Sequence, residues 1–269
     1  SCSIIAVAVF VAVGSSMIRS GDGRTNKYDV EAGNNTYDNA VIENSKISEK
    51  NKIQNNQSML DDIMNSTQYP KQLKDLALKN EEALEFVYDY PAEHVKEHTI
   101  DLTEEASMDS VPLFVQWDKR WGYEKYSGNF FAASGCGPTT LSMVVVYLTH
   151  NRDASPIAVA KYSKEAGYSV DGSGSSWTLI SEGCMHYGVK AKAVALDESR
   201  MKAELDEGHP IVVNVGPGDF TDTGHFMVIT GYDDEGFSIN DPNSIEKSGK
   251  RWLFKNISSQ IRAVWSMYV

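Results

Sequence analysis

Ser134-Gly135-Cys136-Gly137-Pro138-Thr139-Thr140, followed by the apolar run Leu141 to Leu148, is the stretch from which the rest of the chain can be read. Small residues crowd one cysteine, and a proline stands two places after it. Proline is tolerated in the first turn of a helix, where its missing N–H would have no partner, so a buried helix is predicted to begin close to Gly137. The Cys136 sulfur then lies at the positive end of the helix dipole. A thiolate is stabilised there, and nearby unpaired backbone N–H groups can hold a developing oxyanion. Cys136 is therefore the candidate nucleophile. Cys184, beside Met185 on an apolar helix face, reads as a small core residue.

A thiol nucleophile needs a base and a group to orient that base. Downstream, Gly224 precedes His225-Phe226-Met227-Val228-Ile229, so the histidine sits where a glycine loop enters a buried strand. Histidine can take and return a proton near neutral pH. The strand Phe237 to Asn240 returns around Asp233-Asp234-Glu235-Gly236 and ends at Asp241-Pro242. Side chains alternate along a strand, so His225 and Asp241 share a side only if the hairpin loop has an odd number of residues or the ladder carries a bulge. Gly236 in a left-handed conformation would permit such a loop. Asp241 reads either as the orienting acid or as a turn cap before Pro242.

The surrounding elements fall in a definite order. Val111 to Gln116 reads as an edge strand and Trp117 to Tyr123 as an aromatic loop. Ser155-Pro156 caps a helix to Tyr162, and a further helix is predicted from Trp177 to His186. Strands are expected at Ala191 to Leu196, Ile211 to Val215, Arg251 to Lys255 and Ala263 to Tyr268, with a helix from Ser199 to Glu207. Helices first and an antiparallel sheet second give an α+β class whose two halves meet in a cleft. Trp117, Trp121 and Trp177 are candidates for its lining or for the core.

Three stretches in this order, GCGPTT opening an apolar helix, QWDKRWGY before it and GHFMVITGYDDEGFSINDP after it, resemble the C39-like peptidases, relatives of the bacteriocin-leader peptidases with a papain-like fold. The resemblance covers roughly residues 110 to 269. It implies a cysteine peptidase hydrolysing peptide bonds with Cys136 as nucleophile, His225 as base and Asp241 as orienting acid, and it places Gln116 as a side-chain donor in the oxyanion hole. In papain-like enzymes that glutamine lies a few residues before the cysteine. Here it is 20 residues upstream, and a looped insertion from Tyr123 to Ala133 would absorb the difference. The chain contains no G-x-x-x-x-G-K-[ST] loop, so leader processing coupled to transport is not implied.

Composition limits the alternatives. The chain has 269 residues and a net charge of −12, with 10 basic against 18 acidic residues up to residue 108 and 15 against 19 beyond it. Without a basic stripe, nucleic acid is not an expected partner. The expected partner is a peptide or protein substrate, and the expected state is a monomer. The three cysteines lack metal or redox spacing, and the loop Asp171 to Ser175 lacks the acidic residues of a calcium site, so no metal or cofactor is assigned. Ile4 to Val13 is apolar and uncharged, which predicts a signal peptide or membrane anchor over 1–20 and an extracellular or cell-surface location. Residues 21–67 are polar and read as a disordered linker. Residues 68–108 read as a short helical arm and connector, either structural or a pro-segment, and 109–269 as the C39-like peptidase domain. The competing functions are another thiol acyltransferase or amidase of the same fold, and a catalytically silent peptide or cell-wall binding module.

Overall fold

A computed structural model describes the backbone of residues 35–269 and the side chains from residue 45 onward. The chain divides into two units, residues 1–49 and 50–269. The apolar segment expected to direct export lies outside the described residues. Among the described residues, no helix is long and apolar enough to cross a membrane.

The linker expected over 21–67 needs correction from Asn35 onward, because Asn35–Asn65 is a helix, α1. No glycine or proline interrupts this stretch. Its last turns also have something to bury: Ile63 is fully enclosed, with Met59 and Leu60 packed beside it. Composition averaged over the whole stretch hides three apolar side chains gathered at one end.

Helices α2 (Lys71–Lys79) and α3 (Leu84–Tyr88) follow, where the i, i+3, i+4 spacing predicts them. Leu73, Leu76, Ala77, Phe86 and Val87 join Ile63 in one cluster that closes over Phe130 and Ala132. Phe86 stacks on Tyr123 with ring centroids 4.2 Å apart, and the Tyr123 hydroxyl donates to the Phe86 carbonyl at 2.7 Å. Gly122 is required beside this pair, because a Cβ there would come within 2.7 Å of the Phe86 ring. The arm is therefore built into the domain's packing.

The centre is a six-stranded antiparallel sheet of β1 (Lys190–Ala193), β2 (Ile211–Val215), β3 (His225–Asp233), β4 (Gly236–Asn240), β5 (Arg251–Trp252) and β6 (Ile261–Tyr268), in spatial order β1-β6-β2-β3-β4-β5. All five residues of β2 are buried, as expected for a strand covered on both faces. Val212, with Phe226, Val228 and Met267, packs in the cluster built around helix α4 (Cys136–Thr149). Ile211, Val213 and Val215 belong to a second cluster with Met227, Ile229 and Met201 of helix α6 (Glu198–Asp206). Helix α5 (Pro156–Glu165) lies between these two in sequence and starts as read, with the Ser155 hydroxyl accepting from the Ala158 N–H at 3.3 Å.

Three predicted elements differ. Val111 to Val115 forms no strand and Gln116 opens a turn; Asn240 Nδ2 donates to the carbonyls of Val111 and Pro112, both at 3.1 Å. The helix expected from Trp177 to His186 breaks into Thr178–Ser181 and a 3-10 turn, Gly183–Tyr187. The strand from Arg251 stops at Trp252, and Phe254–Ile257 is a helical turn that lets Ile257 enter the core.

Candidate active site

Helix α4 begins at Cys136 itself, with Gly135 as its N-cap residue and Pro138 inside the first turn. No side chain caps this end, so the first N–H groups are left for other acceptors. The flanking glycines are demanded by packing. A Cβ on Gly135 would lie 2.6 Å from the Phe131 ring, and one on Gly137 would lie 2.5 Å from the Ser175 hydroxyl. Cys136 is consequently held at the base of a cleft rather than in the core.

His225 is the first residue of β3 and is only 6% exposed. Its Nε2–H donates to Asp241 Oδ1 at 2.7 Å. The shared side comes from a bulge: Ile229 pairs with Ile239 and Gly231 with Ser238, leaving Thr230 as the extra residue. The loop itself is the two-residue Asp234-Glu235, between the paired Asp233 and Gly236. Of the two devices the alternation allows, the bulge is the one used.

Asp241 is fully buried. Its Oδ1 also accepts the Asn243 backbone N–H at 2.8 Å, while its own N–H donates to Ser248 Oγ at 2.9 Å. One carboxylate oxygen thus both meets the imidazole and caps the turn. The second oxygen, Oδ2, is buried without a hydrogen-bond partner. Glu82 of the arm fixes the same turn from outside, accepting from the Ser244 hydroxyl and from the backbone N–H groups of Ile245 at 2.8 Å and Glu246 at 3.1 Å. Replacing Glu82 by alanine removes all three bonds and is expected to cost about 1 kcal/mol, the usual value of a lost cap, read as a lower urea midpoint at unchanged slope.

The His225 ring and the backbone N–H groups of Phe226 and Gly137 lie close enough to the Cys136 sulfur to act on its charge, while Nε2 of the ring is engaged by Asp241. Burial pushes the thiol up, but the imidazole and the two N–H groups outweigh it and hold Cys136 below its ordinary value. For His225, burial opposes the charged ring, and the charges of Asp241 and Cys136 override that and raise it well above the usual imidazole range. The two shifts together favour a thiolate–imidazolium pair. Cys184 behaves oppositely: burial raises its thiol to about 11.

Gln116 lies in the same cleft, brought there by its backbone N–H donating to the Pro242 carbonyl at 2.7 Å. Its Nε2 donates one hydrogen to the Ala132 carbonyl at 2.7 Å, and an amide nitrogen carries two. Two grooves of about 500 and 520 Å³ meet at Cys136, sharing Asn129, Ala133, Thr223 and Gly224. One runs past His225 to α2; the other runs over Gly172 to Ser175 and Trp177. Of the three tryptophans, Trp177 lines a groove, Trp121 is core, and Trp117 donates its indole N–H to the Asn243 carbonyl at 3.2 Å. Asn243 was not singled out by sequence, although the Asp-Pro-Asn-Ser run is a turn signature. Among the described residues, no group of histidine, cysteine and acidic side chains is arranged to hold a metal ion.

The cysteine, the imidazole and the buried carboxylate thus stand together where a helix N-terminus meets an antiparallel sheet. The chain belongs to the peptidase C39-like family, whose model matches residues 108–269. Among solved structures, the peptidase domain of Streptococcus ComA, a bifunctional ABC transporter involved in a quorum-sensing pathway, is similar at 20% identity and a TM-score of 0.40, over 50% of this chain and 90% of that one. A protein from Bacillus anthracis assigned as a C39-like peptidase is similar at 18% identity and a TM-score of 0.37, over 59% of this chain and 95% of that one. No curated protein matches the chain significantly.

Proposed function

We propose that the protein is an exported cysteine peptidase acting on peptides or proteins through Cys136, His225 and Asp241. The observation that carries this reading is the His225–Asp241 hydrogen bond beside the lowered Cys136 thiol, where two grooves meet. The Cys136 thiolate attacks the scissile carbonyl carbon, and the carbonyl electron pair moves to oxygen. That oxyanion is met by the Cys136 backbone N–H and the second Nε2 hydrogen of Gln116. His225 gives its proton to the leaving amine as the C–N bond breaks, leaving a thioester on Cys136. It then takes a proton from water, whose oxygen attacks the thioester and releases the acid and the Cys136 thiolate, restoring the ion pair. Asp241 keeps the imidazole aimed throughout.

The test is a digest of a peptide library, quenched in acid and read by mass spectrometry. New termini together with an acyl adduct on Cys136 are expected. Adducts passed only to added amines would make the enzyme a transferase, and no adduct at all would leave a binding module. Export follows from the apolar segment Ile4 to Val13, and cell fractionation tests it: the protein is expected in the medium or at the surface.

The active form carries a thiolate and an imidazolium. Activity is therefore expected to rise as pH climbs through the lowered Cys136 value and to fall only as pH passes the raised His225 value. The plateau of kcat/KM should extend below the ordinary thiol pKa near 9 and above the ordinary imidazole value near 6.5. A bell centred on an unshifted histidine would contradict the pairing.

A further inference from the structure

The groove that runs from Cys136 past His225 is closed on its far side by the arm. Gln72, Asp75 and Lys79 of α2 line it, together with Leu76 and Asn80. The positions 72, 75 and 79 follow the i, i+3, i+7 spacing of a single helical stripe, while Leu73, Leu76 and Ala77 are buried in the domain. The stripe is thus free of packing duties and turned to the groove. Asn80 ties the end of the helix to the turn after Asp241, its Nδ2 donating to the Asn243 carbonyl at 2.9 Å and to Asn243 Oδ1 at 3.1 Å.

Charge is divided between the walls. The arm and the turn it grips carry Lys79 and Lys247; neither makes an ion pair among the described residues, and Lys247 Nζ reaches across to 5.9 Å from the centre of the Phe220 ring on the opposite wall. Asp75, on the same wall, is already neutralised by Lys71 at 2.6 Å. The opposite wall, Gly218 to Gly224, carries Asp219 and Asp222, with Asp219 Oδ2 accepting from Gln260 Nε2 at 2.6 Å. A peptide lying along the groove would meet ammonium groups on its arm side and carboxylates on the other.

We propose that α2 is a wall of the substrate-binding groove and that Lys79, supported by Lys247, recognises an acidic side chain of the bound peptide. This specificity rests on the peptidase reading above, and it makes the arm a working part of the enzyme rather than a removable pro-segment.

The test uses the full chain, with Lys79→Glu and Lys79→Ala variants, and two readouts. In the library digest, the preference for glutamate over lysine on the arm side of the scissile bond is expected to fall about tenfold in Lys79→Glu and by less in Lys79→Ala. In the second readout, a glutamate-rich pentapeptide is expected to slow iodoacetamide alkylation of Cys136 in the wild type, and a lysine-rich one to leave it unchanged. That protection, measured against the same variant without peptide, should be lost in Lys79→Glu. Equal protection of wild type and Lys79→Glu, or the same cleavage preference in both, overturns the proposal. Protection without cleavage supports the groove assignment while refuting the peptidase reading, so the two fail separately.

Discussion

Replacing Cys136 by alanine is expected to lower peptide hydrolysis by ~10⁴-fold or more, since on the proposed mechanism Cys136 is the nucleophile, and losing one member of a unit of coupled groups removes nearly all of their contribution. The fold should survive, because Cys136 sits at the groove floor and its removal opens space toward solvent, not within the core. The same chemistry predicts a reactivity contrast that needs no substrate. Iodoacetamide reacts with thiolates. Cys136 is lowered and Cys184, enclosed in the core, is raised to about 11, so at any given pH Cys136 carries the larger thiolate fraction. Alkylation followed by peptide mapping should find Cys136 modified and Cys184 untouched until the protein unfolds. Equal, slow labelling of both would remove the activated thiol and the mechanism with it.

Phe86→Ala should have the largest effect on stability of any change in the arm. The side chain is almost wholly enclosed, stacks on Tyr123, and fills the space that Gly122 leaves open. Truncating an enclosed phenylalanine costs about 3–5 kcal/mol, and for a domain of this size that corresponds to a melting temperature lower by ~10 °C. Thermal unfolding followed by circular dichroism checks it. The loss should carry over to function, because α2 and Glu82 depend on the same cluster for their position against the groove and the Asp241 turn. A chain beginning at residue 109 would go further, uncovering Phe130 and Ala132 altogether. If that shortened chain melted like the full one, the arm would be an appendage and its place in the groove incidental.

The sequence was most informative where residue types leave few alternatives. Cysteine between glycines before a helical proline, and a glycine-led histidine on an apolar strand, could each be placed on an element and given a chemistry before any contact was known. The sheet's central strands were legible because they are long and apolar. Contacts between distant segments were not legible. Nothing local says that Gln116 reaches the cleft by bonding Pro242, that Glu82 caps a turn at Ser244, or that α2 faces a groove. In the first two cases the partners are more than a hundred residues apart along the chain, and in the third the groove's lining is gathered from separate stretches. Val111 to Gln116 reads as an edge strand because an apolar run follows an early proline, whereas its hydrogen bonds go to the side chains of Asn240 and Trp121 and to the backbone of Asp118, Ala132 and Pro242. The helix at Asn35–Asn65 was missed because polarity was taken for absence of structure, and a mostly polar helix needs only a short anchored end.

The bulge at Thr230 has a consequence for how this hairpin can vary. Fifteen residues separate His225 from Asp241, and that count, with one of them left out of the ladder, is what turns imidazole and carboxylate to the same side. Identity within the segment is open to change wherever burial allows, but its length is subject to a parity condition. A lone insertion or deletion would rotate one partner away and extinguish the pair while leaving the sheet intact. Among chains built on this plan, gain or loss of residues between the two should therefore come in twos, or be matched by a second bulge.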